Sequence, residues 1–434
     1  MRRYESYKDS GVEWLGEVPH CWDVKKVKNI FHLIAEPAAK NNQCELLSVY
    51  TDIGVKPRAE LEERGNKAST TDGYWVVKKG DIVVNKLLAW MGAIGLSEYD
   101  GVTSPAYDIL RPYKKINGKF FHYLFRTPLC LSEFKKNSRG IMDMRLRLYF
   151  EELGNIYIPF PSYPEQQKIA QFLDDKTAKI DQALDLAEKQ IALLKEHKQI
   201  LIQNAVTRGL NPDVPLKDSG VKWTGQVPEH WDIKRFRNLF DFGKGLSITK
   251  ENLQDEGIPC VNYGEVHSRY GFEVIPERDA LKCVDSKYLV FNNSMLNKGD
   301  FVFADTSEDI EGSGNFTYLN SSTRIFAGYH TVITRLKITA IHRYIAYYFD
   351  SLSFRNQIRN KVKGVKVFSI TQSILKGTFV LLPNLKEQQQ IADYLDTQTA
   401  KIDQAIALKT AHIEKLKEYK SVLINDVVTG KVQV

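Results

Sequence analysis

The apolar positions of this chain follow two different periods. Over Glu165–Arg208 they recur every three and four residues: written as heptads, Ala170, Thr177, Leu184, Ile191, Lys198 and Ala205 take position a, and Leu173, Ile180, Ala187, Leu194 and Leu201 take position d. Over Glu387–Gly430 the same spacing puts Ala392, Thr399, Ile406, Ile413, Lys420 and Val427 at a and Leu395, Ile402, Lys409, Leu416 and Leu423 at d. A seam sustained for that long predicts a coiled-coil helix, and two of them in one chain predict each other as partners. The plainer alternative is that each stripe packs only on its own domain; helices this long are uncommon in globular proteins, which favours pairing. Elsewhere the pattern is short apolar runs broken by Gly-Asp turns: "YWVVKKGDIVVNK", "YDGVTSPAYDILRP", "IPCVNYGEVHSRYGF", "LNKGDFVFADTSEDIEGSG" and "AGYHTVITRL" read as strands and hairpins. One apolar-aromatic helix is predicted in each such block, over "INGKFFHYLFRTPLCLSEFKK" and "IHRYIAYYFDSLSFRNQIRNKV".

The two helical segments are copies. Aligned without gaps, 24 of their 44 positions agree, and "TAKIDQA" stands letter for letter at Thr177–Ala183 and at Thr399–Ala405, 222 positions apart. A second echo precedes each block: "KDSGVEWLGEVPHCWDVKKVKNIF" from Lys8 returns as "KDSGVKWTGQVPEHWDIKRFRNLF" from Lys217, an offset of 209. The segments between, roughly 32–160 and 241–382, share little. The chain therefore divides into 1–160 (lead-in motif and first block), 161–210 (first helix), 211–382 (second lead-in and second block) and 383–434 (second helix). In the lead-ins Trp14 and Trp22, and Trp223 and Trp231, bracket a Gly and a Pro; Trp in such a setting anchors a turn to a core or forms a docking surface.

Direction follows from chain closure. The second block leaves the C-terminal end of the first helix and returns to the N-terminal end of the second. In a parallel pair those ends would lie about 54 Å apart for 36 helical residues; in an antiparallel pair they are neighbours. Antiparallel pairing also keeps Lys198 and Lys420, both at a, from facing each other. The expected fold class is α+β: two domains with irregular sheets, separated by two long helices in an antiparallel coiled coil, with internal duplication and pseudo-twofold symmetry.

Composition narrows the partner class only slightly. Among 434 residues, Lys and Arg exceed Asp and Glu by 60 to 53, a net charge of +7, which favours a polyanion weakly. Cys21, Cys44, Cys130, Cys260 and Cys283 have no CxxC or Cys/His spacing, so no zinc site or disulfide framework is expected and a reducing cytoplasm fits. No signal peptide and no apolar run long enough to span a membrane is present, so a soluble, unexported, cytoplasmic protein is expected.

No catalytic motif stands out. The phosphate-loop spacing, H-E-x-x-H, the deaminase zinc cluster, G-x-G-x-x-G and the Asn-Pro-Pro-aromatic element of adenine methyltransferases are all missing. The acidic stretch "FADTSEDIEG" reads as solvated hairpin-tip carboxylates rather than a metal site. No catalytic or metal residue is expected. What the blocks carry is basic and aromatic residues at loop positions, the types that contact phosphates and base edges. In the first block these are Lys56, Arg58, Lys86, Trp90, Tyr107, Arg145 and Arg147; in the second, Lys244, Lys250, Arg269, His330, Lys363 and Lys366. Any one of them alone reads more simply as a solvated charge. The set on each block is the argument.

At this point the chain resembles the specificity subunit of a Type I restriction-modification system over nearly its whole length. The resemblance is carried by "YKDSGVEWLGEVPHCW", "GDIVVNKLLAWMGAIG", "YDGVTSPAY", "IPFPSYPEQQKIAQFLDDKTAKID", "KDSGVKWTGQVPEHW", "GDFVFADTSED", "AGYHTVITRL" and "VFSITQSILKGTFVLLPNLKEQQQIADYLDTQTAKID". It implies a non-catalytic subunit with two target-recognition domains, each reading one part of a bipartite asymmetric site in double-stranded DNA. It implies two modification (methyltransferase) subunits docked on the helices and restriction subunits that translocate and cut. S-adenosylmethionine, ATP and Mg would all belong to those partners. It also implies that Gly80–Lys86, Ser104–Tyr107 and Arg145–Leu148 face DNA. The competing readings are a coiled-coil interaction scaffold without DNA contact, and a fused nuclease or methyltransferase, which the missing motifs disfavour.

Overall fold

The computed structural model describes residues 2–60, 71–364 and 366–434. Two continuous helices dominate it, Tyr163–Arg208 (46 residues) and Leu385–Val428 (44 residues). The chain divides into two compact units, and neither coincides with a sequence segment: unit 1 is 1–188 with 410–434, and unit 2 is 189–409. Each unit thus owns half of each long helix, because the halves pack into its core. In unit 1 Ile169, Leu173 and Ile180 share a buried cluster with Leu423, Val427 and Val428. In unit 2 Ile202, Ala205 and Val206 share one with Ile391, Ala392 and Leu395.

The pairing is antiparallel. Within unit 2 Lys409 Nζ donates to Gln190 Oε1 at 2.6 Å and Lys198 Nζ to Asp403 at 2.7 and 2.8 Å, so partners descend along one helix as they ascend along the other. Lys409, a lysine at a d position, is accommodated by reaching Gln190 with its amine. Within unit 1 Lys420 Nζ meets Asp181 at 2.6 and 2.7 Å. The two lysines at position a therefore find the aspartate of the "TAKIDQA" heptad on the opposite helix. The predicted seam faces inward: Leu173, Ile180, Leu395, Ile402, Ile413 and Leu423 are buried, and Leu184, Ile191, Leu194, Leu201, Ile406 and Leu416 are half-buried.

Each unit carries one antiparallel sheet of the same order. In unit 1 it runs Phe31–Ile34, Tyr107–Pro112, Ile82–Asn85, Ile94–Leu96; in unit 2 it runs Phe240–Lys244, Thr331–Leu336, Phe301–Ala304, Phe316–Leu319, with Glu273–Val274 added in parallel at the edge. Unit 2 has a further four-stranded sheet, Lys282–Val284, Ile258–Val261, Ile325–Ala327, Met295–Leu296. Two sequence expectations are corrected here. Each predicted apolar-aromatic helix is a pair of short helices: Gly118–Phe125 with Pro128–Lys136, and His342–Asp350 with Leu352–Arg359. Thr127 and Ser351 break them by capping the second helix with their side chains, and Pro128 has no N–H to continue the first. The run "IPCVNYGEVHSRYGF" is not a hairpin: after the strand Ile258–Val261 it turns into a helix, Tyr263–Ser268.

The lead-in motifs are two copies of one hairpin. In the first, Tyr7–Asp9 pairs with Glu17–Pro19, Asp9 accepts from Gly11 N at 2.9 Å, and Gly11 and Gly16 hold φ of 69° and 64°. In the second, Leu216–Asp218 pairs with Gln226–Pro228, Asp218 accepts from Gly220 N at 3.0 Å, and Gly220 and Gly225 hold 65° and 69°. The motif is repeated because an Asx turn and two left-handed glycines are needed to close it. Trp22 and Trp231 are buried, as anchors should be, whereas Trp223 lies largely exposed under Lys222 at 4.9 Å. Each buried tryptophan packs beside the glycine that ends a long helix, Trp22 by Gly430 and Trp231 by Gly209. In unit 1 this brings the chain ends together, with Gln433 N donating to Arg2 O at 2.9 Å.

Candidate nucleic-acid interface

Each unit fixes its sheet with a buried aspartate at the Gly-Asp turn. Asp81 accepts from Arg111 Nε at 2.9 Å and Nη2 at 2.8 Å, and from Lys78 N at 2.9 Å. Asp300 accepts from Arg335 Nε at 3.1 Å and Asn297 N at 2.9 Å. Burial holds the Asp300 carboxyl above its ordinary range, outweighing the backbone N–H and the Arg335 guanidinium that pull it down. Five residues beyond each aspartate, where the strand runs out, stands the residue that builds one end of the sheet: Lys86 in unit 1 and Asp305 in unit 2.

Around Lys86 three segments converge. Its Nζ donates to Pro105 O at 2.9 Å and lies 3.3 Å from Asp108, whose pKa burial raises although Lys86 opposes it. Its carbonyl accepts from Leu148 N at 2.9 Å, and Arg139 and Arg147 bridge each other next to that link. Around Asp305 the same segments of unit 2 converge. Its N–H donates to His330 O at 3.1 Å, its carbonyl accepts from Ile370 N at 2.7 Å, and its Oδ1 lies 3.1 Å from His330 Nδ1. Lys363 and Ser369 form the matching bridge. A cleft of about 610 Å³ opens here, lined among others by Lys244, Ser247, His330, Ser369 and Gln372.

The predicted residues divide accordingly. In unit 1 Lys86, Arg145 and Arg147 gather at this sheet end, with Tyr107 at the start of the strand that leaves it. Trp90 joins them: Lys135 lies 4.9 Å over its ring and 2.8 Å from Asp143, which opens the turn Asp143–Arg145. Arg145 and Arg147 are exposed, Lys86 is held inward, and exposed Leu87, Leu88, Met91 and Met142 give the patch an apolar component. Lys56 stands apart, on the hairpin Leu47–Tyr50 with Gly54–Pro57, where it donates to Tyr99 Oη at 3.0 Å; Arg58 is on the turn that follows, Arg58–Glu60. In unit 2 Lys244 and His330 line the cleft and exposed Lys363 and Lys366 belong to the loop beside it. Lys250 lies on the separate turn Lys250–Asn252, and Arg269 follows the helix Tyr263–Ser268; both are exposed. The arrangement can grip phosphates with flexible cations and meet base edges with the groups at the sheet end.

Sequence reasoning missed Asp305, having read its stretch as solvated tips, and missed Ser369 and Gln372. The signal for Asp305 was present: it stands at the same distance from Gly-Asp as Lys86. Among the described residues no cluster of His, Cys, Asp and Glu could hold a metal ion, and no helix is long and apolar enough to cross a membrane.

The blocks also share a hidden anchor on the long helices. Gln166 donates to Pro161 O at 2.9 Å and accepts from Asn117 N at 2.9 Å; Gln388 donates to Pro383 O at 2.8 Å and accepts from Ile341 N at 2.9 Å. Tyr123 donates to Asp174 at 2.8 Å beside Thr177, and Tyr347 to Asp396 at 2.6 Å beside Thr399. The threonine of "TAKIDQA" thus meets its own block's tyrosine while the aspartate meets the opposite helix.

The family model for the Type I restriction modification DNA specificity domain matches the chain twice, over residues 19–195 and 228–418. The specificity subunit of the type I restriction enzyme MjaVIII from Methanocaldococcus jannaschii is 23% identical over 429 residues, 96% of this chain and 94% of its own. That of EcoKI from Escherichia coli K12 is 26% identical over 424 residues, 90% and 86% respectively. Two solved structures share the fold. A chain from a study of complex assembly and conformational transition in the type I R-M system superposes with a TM-score of 0.70 at 15% identity, covering 96% of this chain and 99% of that one. The HsdS subunit from Thermoanaerobacter tengcongensis gives 0.55 at 14%, covering 96% and 98%.

Proposed function

The chain belongs to the Type I restriction modification DNA specificity family, and we propose on that basis that each unit reads one part of a bipartite, asymmetric site in double-stranded DNA. The observation that carries this is a duplicated scaffold with unlike tips. Asp81 and Asp300, Gln166 and Gln388, Tyr123 and Tyr347 do the same work in both units, while the sheet ends present Lys86, Arg145 and Arg147 in one and Asp305, His330, Lys363 and Lys366 in the other. Two equal scaffolds bearing different contact groups suit a target whose halves differ.

In this reading the paired helices set the spacing between the two parts; a helix of 46 residues is about 69 Å long. They also scaffold two modification subunits. A second apolar stripe supports docking: Leu186, Leu193 and Ile200 on the first helix and Tyr394, Leu408 and Val422 on the second are exposed, seven or fourteen residues apart, away from the seam. Repetition of that surface suits two identical partners. The chain acts as a non-catalytic subunit in the cytoplasm. S-adenosylmethionine, ATP and Mg serve the modification and restriction subunits, not this chain.

Footprinting tests the proposal. The chain assembled with its modification subunits should protect two short tracts separated by an unprotected run of base pairs, with binding that weakens steeply as salt rises. One continuous footprint would refute the bipartite reading. Undetectable or salt-independent binding would instead favour a coiled-coil scaffold that does not touch DNA.

A further inference from the structure

In unit 2 the residue at the tip of the sheet end is His330, and its setting is unusual. Among the described residues only Asn41 and His330 are non-glycines with positive φ, His330 at 54°. A left-handed backbone at a non-glycine residue is uncommon, though histidine adopts it more readily than most, and it is kept where the surroundings hold it. Here they do. Asp305 grips the residue twice, accepting at Oδ1 from His330 Nδ1 at 3.1 Å and donating its N–H to His330 O at 3.1 Å. Tyr263 sets its ring edge-on to the imidazole at 5.4 Å and Tyr329 does so at 5.9 Å. Despite this support the imidazole is exposed, and it lines the open cleft. A side chain clamped on its backbone, one nitrogen and two ring edges, yet left facing solvent, is preorganised for something outside the protein.

The comparison with unit 1 shows which part varies. There the strand-end residue also tethers the tip of the following turn, through Lys86 Nζ on Pro105 O. Tether and turn are common to both units, but the residue matching His330, one before the strand Tyr107–Pro112, is Ala106. A fixed support with an interchangeable tip is what a reading position needs.

We infer that His330, held by Asp305, is a specificity-determining residue of unit 2 and meets a base edge in the major groove. Because the Asp305 carboxylate can only accept, the proton of the neutral ring sits on Nδ1, and Nε2, which has no partner among the described residues, is a hydrogen-bond acceptor. The base edges that offer a donor in the major groove are the amino groups of adenine and cytosine. Lys244, on the same cleft, supplies a cation for the adjoining phosphate. This inference rests on the DNA-reading function proposed above.

The experiment is a methylation assay on a library of randomised duplexes, using the full chain assembled with its modification subunits. The wild type is run first; if it methylates without sequence preference, the DNA-reading function itself fails. Given a two-part motif, His330→Gly removes the imidazole and relieves the left-handed strain, so the variant should melt no lower than wild type. It should lose about tenfold in discrimination at a single position of one half-site, a position at which wild type requires adenine or cytosine on the strand being read, with the other half-site unchanged. Asp305→Ala, which frees the ring, should blur the same position. An unchanged motif for His330→Gly, or a uniform loss across all sequences as a phosphate contact would give, overturns the inference. So does a wild-type requirement for guanine or thymine at the affected position.

Discussion

Units 1 and 2 solve one packing problem with the same framework and different finishing residues, and the clearest contrast lies under their lead-in hairpins. The first glutamate of each "EQQ" stands at the start of a long helix, close to a buried tryptophan. In unit 2 Glu387 takes the Trp231 indole N–H at 3.0 Å and pairs with His230 at 2.9 Å. In unit 1 the corresponding Glu165 is taken instead by Tyr4 Oη at 2.5 Å, and among the described residues the buried Trp22 indole N–H has no partner. Tyr4 compensates by packing its ring edge-on to Trp22 at 5.7 Å, and Phe120 does the same at 6.4 Å. A repeated sequence therefore guarantees a repeated backbone and a repeated anchor, but not a repeated hydrogen bond, because at the lead-in offset the counterpart of Tyr4 is Asp213, which cannot take the same role.

The largest expected effect sharpens that contrast. Trp22→Ala and Trp231→Ala each empty a fully buried site and should each cost about 3–5 kcal/mol of stability in their own unit, read from denaturant unfolding. The phenylalanine variants should separate the two. Trp231→Phe deletes a hydrogen bond to a carboxylate, a loss of about 1.5–3 kcal/mol beyond the smaller volume, whereas Trp22→Phe deletes an N–H that has no partner to lose. Equal costs for the two phenylalanine variants would mean that the pairing with Glu387 contributes nothing.

How much of this could be read from the letters depends on the kind of interaction. The seam was legible because apolar spacing states it directly: Leu173, Ile180, Leu395 and Ile402 needed only the heptad. The hairpins of the lead-ins were legible as a repeat, and the reason for it, an Asx turn with two left-handed glycines, follows from residue types alone. The equivalence of the blocks was not legible. On the helix side their shared contacts, Gln166 and Gln388, Asp174 and Asp396, sit within the repeat, but the block-side partners Tyr123 and Tyr347 are single residues in segments that otherwise share little, and insertions shift the offset between Gly-Asp, tyrosine and glutamine. Two single helices were expected where Thr127 and Ser351 cap a second one, since a cap inside an apolar run looks like an ordinary polar residue. The candidate interface was legible in composition but not in grouping. Lys86 turned out to be tied to Pro105 and Asp108, Lys56 to Tyr99, and Asp305, unremarked in the sequence, holds the tip of unit 2.

A second difference between the units is chemical. His122 of unit 1 accepts from Leu96 N through Nδ1 at 3.3 Å and its ring fills the space left by Gly54 and Gly95; at the matching place on the helix His342–Asp350, unit 2 has Ala346, which does not titrate. Burial, aided by the Arg126 guanidinium, pushes the His122 pKa down to about 4 from an ordinary value of 6.5. The unfolded chain therefore binds the proton first as pH falls, and unit 1 loses stability between pH 6.5 and about 4, with no further loss from this group below that. The total is at most about 3 kcal/mol. Unfolding curves for wild type and His122→Ala across this window should show the slope in the first and its loss in the second. An undiminished slope in the variant would assign the acid sensitivity to other groups.

The smallest expected effect concerns the feature in which the units agree most closely. Lys198 with Asp403 in unit 2, and Lys420 with Asp181 in unit 1, place the same two positions of the repeat in the same contact. Their aspartates are about half exposed, with side-chain accessibilities of 55% and 52%, so solvent and salt screen the attraction. Each pair should therefore contribute no more than about 1 kcal/mol, far less than the apolar seam beside it. Their value is directional: they match only when the helices run antiparallel, since a parallel register would bring Lys198 towards Lys420 and Asp181 towards Asp403. Reversing one residue, as in Asp403→Lys, should cost slightly more than removing it, because two cations then meet. The double exchange Lys198→Asp with Asp403→Lys should restore wild-type stability to within a few tenths of a kcal/mol. Running the same cycle on Lys420 and Asp181 completes the comparison. Coupling energies that agree between the two cycles would show that the repeat preserves an interaction as well as a shape; a coupling of zero in both would reduce the aspartate of "TAKIDQA" to a solubilising residue.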